Sequence, residues 1–155
     1  NRLPIFPLYY EGKTKFAPIH CSDLTDVIFN VVSNNVNSKI IECVGPEIIS
    51  FKEIIKILLN LIGKKRLLVP MPLPLAQISA RLFEIMPKPI LTRDQLKLLR
   101  YDNVLSGKYK SNSDIGVPSL RYFDEEVKKY CYMWRDGGQF STEKYSSDNI
   151  DIKTN

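Results

Sequence analysis

Histidine and cysteine, the residue types that most often bind zinc, are scarce in this sequence. It contains one histidine, His20, and three cysteines, Cys21, Cys43 and Cys131, with no Cys-x-x-Cys pair among them. The odd count and the missing pair disfavour a disulfide framework and a zinc site, so we predict free thiols, a reducing compartment and no metal. Because Cys21 and Cys43 fall in apolar, strand-like segments, we expect buried structural thiols at both positions.

The sequence also lacks long hydrophobic runs and phosphate-binding loops. Its longest apolar run, 54–62, is interrupted by Lys56 and Asn60. A membrane-spanning helix needs about 20 apolar residues, so we expect neither a transmembrane segment nor secretion. No Gly-rich phosphate loop, carboxylate pair or nucleophile elbow occurs, so we assign no catalytic residue within this sequence.

What is present is the composition of a globular domain with a basic balance. The 155 residues are 44% hydrophobic and 25% charged, with a formal net charge of +5. This is enough apolar material for one core. The positive charge favours anionic partners, although a soluble protein with one basic face would have the same balance. The basic run 64–66 is short and has no interleaved aromatic residues, so we do not expect nucleic-acid binding.

Apolar periodicity predicts that short strands alternate with amphipathic helices. The predicted strands are 16–21, 39–44 and 67–69. The first helix is predicted to begin at an N-cap formed by Ser22 or Asp23, and the second at a capping box formed by Ser50 and Glu53. This β-α-β-α-β order predicts an α/β protein whose sheet is mainly parallel and covered by helices.

The second half of the sequence is predicted to be mostly helical. A proline-rich connector after Pro70 leads to a predicted helix at 75–86. Thr92 and Gln95 form a second capping box, which starts a helix that is predicted to run to Arg100. A last helix is predicted from Phe123 onward. Beyond residue 140 little can be buried, so we predict a disordered tail at 141–155.

A basic face on the predicted helix after Thr92 is a candidate binding surface. Arg93, Lys97 and Arg100 share this face, opposite Leu96 and Leu99. Together with the apolar stretch before it, the face could dock on an anionic membrane surface or on an acidic protein. An ordinary solvated helix face would have the same pattern, and both interpretations stay open.

His20 has two interpretations as well. It is predicted to lie at the end of a strand, just before a helix begins, where α/β folds place residues that face a ligand. A single histidine with no predicted carboxylate or metal partner also fits a purely structural role.

The segment 19–24 resembles the I-H-V-x-D-L segment of the extended short-chain dehydrogenases/reductases, the NAD-dependent epimerase/dehydratase superfamily. The segment 42–53 is similar to the second strand-to-helix segment of that superfamily. The resemblance implies that this chain is the C-terminal portion of a Rossmann-type fold whose nucleotide-binding half, which holds NAD or NADP, is missing here. It also implies a C-terminal lobe that closes over the cofactor, which makes Phe16, Pro18 and His20 candidates for the substrate or cofactor cleft.

One departure from the epimerase pattern affects the expected substrate. Those enzymes carry Arg-Asp where this sequence has Phe16 and Ala17. Phenylalanine cannot donate hydrogen bonds to a phosphate, so a nucleotide-sugar substrate is not expected.

A longer series of motifs over residues 1–140 resembles a narrower family, the dehydrogenase-like accessory subunits of respiratory complex I and their bacterial relatives. The motifs occur in the family's order at 16–18, 45–47, 68–73, 91–95, 102–104 and 137–140. The resemblance implies an atypical short-chain dehydrogenase that holds NADPH mainly as a structural element. Members dock on the peripheral arm of complex I, near the membrane and the quinone site.

From this resemblance we expect a role in assembly or stability and contacts with peripheral-arm subunits, with the membrane surface as a further candidate partner. The expected location is the cytoplasmic side of a bacterial inner membrane or the matrix side of the mitochondrial inner membrane. The alternative is an independent NAD(P)-dependent epimerase/dehydratase or reductase that acts on an apolar substrate. The expected organisation is the distal part of a Rossmann-like domain at 1–70, a helical lobe at 71–140 and the tail at 141–155.

Overall fold

The chain is a mixed α/β protein. A computed structural model describes residues 4–37, 40–72, 74–76, 78, 92–135 and 138. The strands are β1 Ile5–Tyr9, β2 Lys15–Phe16, β3 Ile41–Glu42, β4 Ile49–Ser50, β5 Leu67–Met71 and β6 Lys110–Ser111. The helices are α1 Cys21–Ser33, α2 Phe51–Leu61, α3 Arg93–Leu98 and α4 Phe123–Cys131, with 3₁₀ turns at Tyr10–Gly12 and Tyr132–Trp134.

The strands form separate pairs rather than the one mainly parallel sheet that was predicted. Within the described residues, β1 pairs with β5 in parallel, β2 with β4 antiparallel, and β3 with β6 in parallel. The predicted strand 16–21 is interrupted because α1 already begins at Cys21. The extended chain at Ala17 is held by backbone hydrogen bonds instead, donating to the Asn103 carbonyl at 3.0 Å and accepting from the Gly45 N–H at 3.1 Å.

Two prolines mark the outer edges of the β1–β5 pair. Ile5 lies opposite Leu67, and the Leu67 N–H donates to the Pro4 carbonyl at 3.0 Å. Continuing this parallel pattern along the register places the nitrogens of Pro7 and Pro70 on the sides that face away from the partner strand. Proline lacks an N–H, so it is tolerated at such an edge and hinders the addition of a further strand there.

Two small apolar clusters lie inside the described part of the chain. The first contains the buried residues Tyr9, Ala76 and Leu96, and the second contains Leu61, Val127 and Cys131. The first joins the end of β1 to α3, and the second packs α2 against α4. Full burial of one large apolar side chain contributes about 2 kcal/mol, so each cluster is a modest anchor between elements distant in sequence.

Both predicted capping boxes are present. The Glu53 N–H donates to the Ser50 hydroxyl at 3.2 Å, and the Ser50 N–H donates to the Glu53 carboxylate at 2.8 Å. Thr92 and Gln95 make the same reciprocal pair at the start of α3. α3 is shorter than predicted, because it ends at Leu98 and continues only as a turn through Arg100.

Several predictions fall largely outside the described residues. Of the predicted helix 75–86 only 75, 76 and 78 are described, and they are helical. The predicted tail 141–155 and the motif at 137–140, except residue 138, also lie outside. Among the described residues, no helix has both the length and the apolar character required to cross a bilayer.

Candidate functional site

His20 is the N-cap of α1. Its backbone is extended, with φ −73° and ψ 145°, and its ring Nδ1 accepts a hydrogen bond from the Ser22 N–H at 3.2 Å. The prediction that Ser22 or Asp23 caps this helix is therefore wrong, because the helix begins earlier, at Cys21. An Nδ1 that accepts leaves the proton of the neutral ring on Nε2. Nε2 lies 3.7 Å from the carboxylate of Glu126 on α4.

Glu126 stays ionised at neutral pH. Lys129 donates hydrogen bonds to its carboxylate, and the positive charges of Lys129 and Arg121 add to this, so that its pKa lies below the usual range. His20 thus joins two helices: it caps α1 through one ring nitrogen and faces a carboxylate of α4 with the other.

Asp23 ties the first turn of α1 to the segment that leads into α4. Its buried carboxylate accepts hydrogen bonds from the N–H groups of Leu120 and Arg121, at 3.3 and 3.1 Å, and from the Arg121 guanidinium. In addition, the Glu47 carboxylate accepts from the Phe123 N–H at 2.9 Å. Two acidic side chains from different parts of the chain therefore fix the N-terminal end of α4.

Asn112 anchors the loop after β3. Its amide group donates to the Val117 carbonyl at 3.1 Å and to the Ser119 hydroxyl at 3.0 Å, and its oxygen accepts from the Val44 N–H at 3.2 Å. The Ser119 hydroxyl donates to the Val44 carbonyl at 2.7 Å. In the part of the chain that the structure describes, no buried side-chain nitrogen or oxygen lacks a partner.

Phe16 and Pro18 pack against neighbouring segments. The Phe16 ring lies 6.3 Å from the Phe51 ring, at an interplanar angle of 51°. A Cβ atom at Gly45 would stand 1.8 Å from the Pro18 carbonyl oxygen, so only glycine fits there. Of the three cleft candidates, Phe16 and Pro18 thus have packing roles and His20 has a capping role.

A largely apolar pocket of about 440 Å³ lies beside these residues. It is lined by Ala17, Val44, Gly45, Pro46, Glu47, Ile48, Val104, Leu105, Ser113 and Ser119. Ala17 contributes to this wall, whereas Phe16, Pro18 and His20 do not. The pocket is large enough for a small organic ligand.

The basic face of α3 is exposed, and two of its residues contact neighbouring side chains of the same segment. The Lys97 ammonium lies 3.2 Å from the Asp94 carboxylate, and the Arg100 guanidinium lies 5.9 Å from the centre of the Tyr101 ring. Arg93 is also exposed, and Leu96 is buried on the opposite side, as the periodicity predicted. Both interpretations of this face, binding surface and solvated surface, are compatible with these contacts.

The three thiols are free but differ in burial. Cys131 is buried, Cys43 is half-buried and Cys21 is exposed, so the prediction of a buried Cys21 is wrong. Cys21 is exposed because it opens a helix instead of continuing a strand. Burial raises the pKa of the Cys43 and Cys131 thiols. Within the described ranges, no group of three or more His, Cys, Asp or Glu side chains is arranged to hold a metal.

Sequence reasoning missed the roles of Asp23, Arg121, Glu47 and Asn112. Each contacts a partner more than 65 residues away or bridges several backbone groups, as with the Val44–Asn112 bond. The one local signal is the position of Asp23 in the segment 19–24, which predicts a helix cap and a family resemblance but not a contact with Arg121. Neither the models of known protein families nor the curated proteins compared with this sequence gave a match.

Proposed function

We propose that this chain is the C-terminal part of an NAD(P)-binding, short-chain-dehydrogenase-like protein that associates with respiratory complex I. Its role is to support the assembly or stability of the complex rather than to turn over a substrate. The proposal rests on the ordered motifs that resemble the accessory-subunit family. The observation that carries it is the packing of Phe16 against Phe51, at the position where the epimerases have a phosphate-binding arginine.

The polar residues of segment 19–24 support a scaffolding role. The ring of His20 caps α1, and the carboxylate of Asp23 is saturated by donors from Leu120 and Arg121. Changing the proton on either side chain would break a helix cap or a buried ion pair, which makes both poor general acids or bases. The segment is therefore better suited to holding α1 and α4 together than to proton transfer.

An exposed apolar face on α1 supports the presence of a further packed domain. Ile28, Phe29 and Val32 have exposed fractions of 57%, 72% and 72%. These positions share one side of the helix, and a contiguous apolar patch of this kind marks an interaction surface. The occupant we propose is the nucleotide-binding half that the resemblance places before this chain. Slower amide hydrogen exchange in α1 in the longer protein than in this chain alone would support that occupant.

NADP or NAD would be held mainly by that half. This chain has no Gly-rich loop, so its own residues do not fit the pyrophosphate of a dinucleotide. When bound, the cofactor would act as a structural element between the two halves.

Deletion of the gene, followed by native electrophoresis of respiratory membranes, tests the assembly role. We expect fully assembled complex I to fall and subassemblies to accumulate, with recovery on expression of the wild-type protein. In the resembled superfamily a catalytic Tyr-x-x-x-Lys pair lies upstream of the segments matched here, and full-length protein with that pair replaced should restore assembly equally well. Normal complex I levels after deletion would contradict the proposed role.

The apolar pocket favours one alternative, an NAD(P)-dependent reductase or isomerase of an apolar substrate. Six of its lining residues, Ala17, Val44, Pro46, Ile48, Val104 and Leu105, are apolar. Under this alternative, NAD(P)H oxidation by the full-length protein with apolar carbonyl compounds should be measurable. It should disappear when the upstream catalytic tyrosine is replaced, while complex I assembly is unaffected.

A further inference from the structure

A second pocket of about 520 Å³ lies at the end of β1, apart from the pocket beside Ala17. Its apolar surface comes from Leu68 and Pro70 of β5, above the buried side chain of Leu8. Its polar rim comes from the turn after β1 and from the start of α2, with Glu11, Lys13, Lys15, Ser50 and Lys52. A concave apolar floor with charged groups at one side is the usual form of a small-ligand site.

The turn that forms one wall has an unusual backbone. Tyr10, Glu11 and Gly12 are three consecutive residues in the left-handed region, with φ of 50°, 58° and 69°. Two of them are not glycine, and such strained residues are concentrated at ligand-binding and switch sites. A Cβ atom at Gly12 would lie 2.8 Å from the Cβ of Lys52, so this glycine lets the turn approach the first turn of α2.

The rim carries a net positive charge. The Lys13 ammonium lies 2.5 Å from the Glu11 carboxylate, so these two charges largely offset each other. Lys15 and Lys52 remain as positive charges at the mouth, and neither forms an ion pair with another residue that the structure describes. The N-terminus of α2 lies on the same side, but the Glu53 carboxylate of the capping box offsets its positive dipole, so Lys15 and Lys52 carry the positive charge of the rim.

We propose that this pocket binds a ligand whose phosphate group contacts Lys15 and Lys52 while an adjoining apolar portion covers Leu68 and Pro70. Lysine ammonium groups bind phosphate as mobile point charges. The apolar portion of the ligand is removed from water when it packs on the floor of the pocket. The phosphate can come from a soluble alkyl phosphate or from a lipid headgroup. The inference does not depend on the proposed association with complex I.

Calorimetric titration of the full chain with hexyl phosphate, inorganic phosphate and hexanol tests this site. Burial of even a few methylene groups should make hexyl phosphate bind about tenfold tighter than inorganic phosphate. The variant Lys15→Gln with Lys52→Gln should bind hexyl phosphate about fivefold more weakly. The matched control, Lys56→Gln with Lys65→Gln, removes the same charge from lysines outside the pocket and should bind like the wild type.

Co-sedimentation with vesicles of anionic phospholipid distinguishes the two sources. Retention that the pocket variant loses and the control keeps would identify a lipid headgroup, and hexyl phosphate binding without such retention would identify a soluble ligand. The proposal is overturned if hexyl phosphate does not saturate the wild-type protein, if it binds no tighter than inorganic phosphate, or if both double variants weaken binding equally. None of these results bears on complex I assembly, so the two proposals fail separately.

Discussion

Gly45 lies so close to Pro18 that a Cβ atom at position 45 would stand 1.8 Å from the Pro18 carbonyl oxygen. Gly45→Ala should therefore force two backbone segments apart, and we expect it to lower the free energy of unfolding by about 3 kcal/mol or more. Gly107→Ala is the matched control, because its φ is +71° but no atom lies within 4 Å. It should cost only about 1 kcal/mol from the left-handed backbone. Urea denaturation of both variants measures the difference, and equal losses would contradict the close approach.

Replacement of Asp23 should loosen the connection between α1 and α4. Asp23→Asn removes the charge that accepts from the Arg121 guanidinium and from two backbone N–H groups. Because this carboxylate is buried, we expect a loss of about 3 kcal/mol in the free energy of unfolding. Asp26→Asn is the control, since its more exposed carboxylate lies 3.8 Å from the same guanidinium and should contribute less than about 0.5 kcal/mol. Similar losses in the free energy of unfolding for the two variants, measured by thermal or urea denaturation, would contradict this stabilising role of Asp23.

The three thiols should react with an aromatic disulfide reagent at different rates. Cys21 is exposed, whereas burial raises the pKa of Cys43 and Cys131 and so lowers their thiolate fraction at a given pH. At pH 7.5 we expect Cys21 to release one equivalent of the reagent's thiolate quickly. The other two thiols should then react slowly. The variant Cys21→Ser should abolish the fast phase, and Cys43→Ser should leave it intact. A fast phase that survives in Cys21→Ser would contradict the assignment.

The capping box of α2 should make stability sensitive to acid. Hydrogen bonds from the Ser50 hydroxyl and N–H, aided by the charge of Lys56, hold the pKa of Glu53 below its usual range. The unfolded chain therefore binds the proton more readily, so this contribution is present above the unfolded pKa of about 4.3 and is lost as pH falls through the folded value.

Glu53→Gln tests this linkage through melting temperatures at pH 7 and pH 4. The variant should melt at a lower temperature than the wild type at pH 7, and this difference in melting temperature should become smaller at pH 4. Glu125→Gln, which makes the same charge change on α4 away from a capping box, is the control. A gap that is constant with pH would show that the Glu53 carboxylate does not act through its charge.

Reversal of the basic face on α3 should weaken association without unfolding the protein. Arg93→Glu with Lys97→Glu changes exposed side chains, and such substitutions usually alter stability by less than about 0.5 kcal/mol. If the face docks on an acidic protein or an anionic membrane, the double variant should lose complex I subunits on co-purification. Lys56→Glu with Lys65→Glu makes the same change elsewhere and should retain them. Equal retention by both variants would identify the α3 face as an ordinary solvated surface.

Local features of the fold could be predicted from the sequence, whereas long-range ones could not. Both capping boxes depend on residues three positions apart, and both are present. The start of α1 was misplaced because Ser and Asp are the usual N-cap residues, whereas here the imidazole of His20 accepts the capping hydrogen bond. The parallel pairing of Ile5 with Leu67 has no local signal at all.

The candidate sites follow the same division. Cys21, His20 and the basic face of α3 were identified because their residue types are distinctive. The Asn112 network and the Asp23–Arg121 contact join segments far apart in sequence, so they become visible only when the chain is folded. The pocket above Leu8 and Leu68 likewise depends on the strand pairing and on the left-handed turn at 10–12.

The most direct test of the central claim is affinity purification of the tagged full-length protein from detergent-solubilised membranes, followed by quantitative mass spectrometry. The account predicts that peripheral-arm subunits of complex I are enriched over an unrelated tagged protein, and that Arg93→Glu with Lys97→Glu reduces them. Recovery of the intact, cofactor-loaded protein with no complex I subunit above background would contradict it.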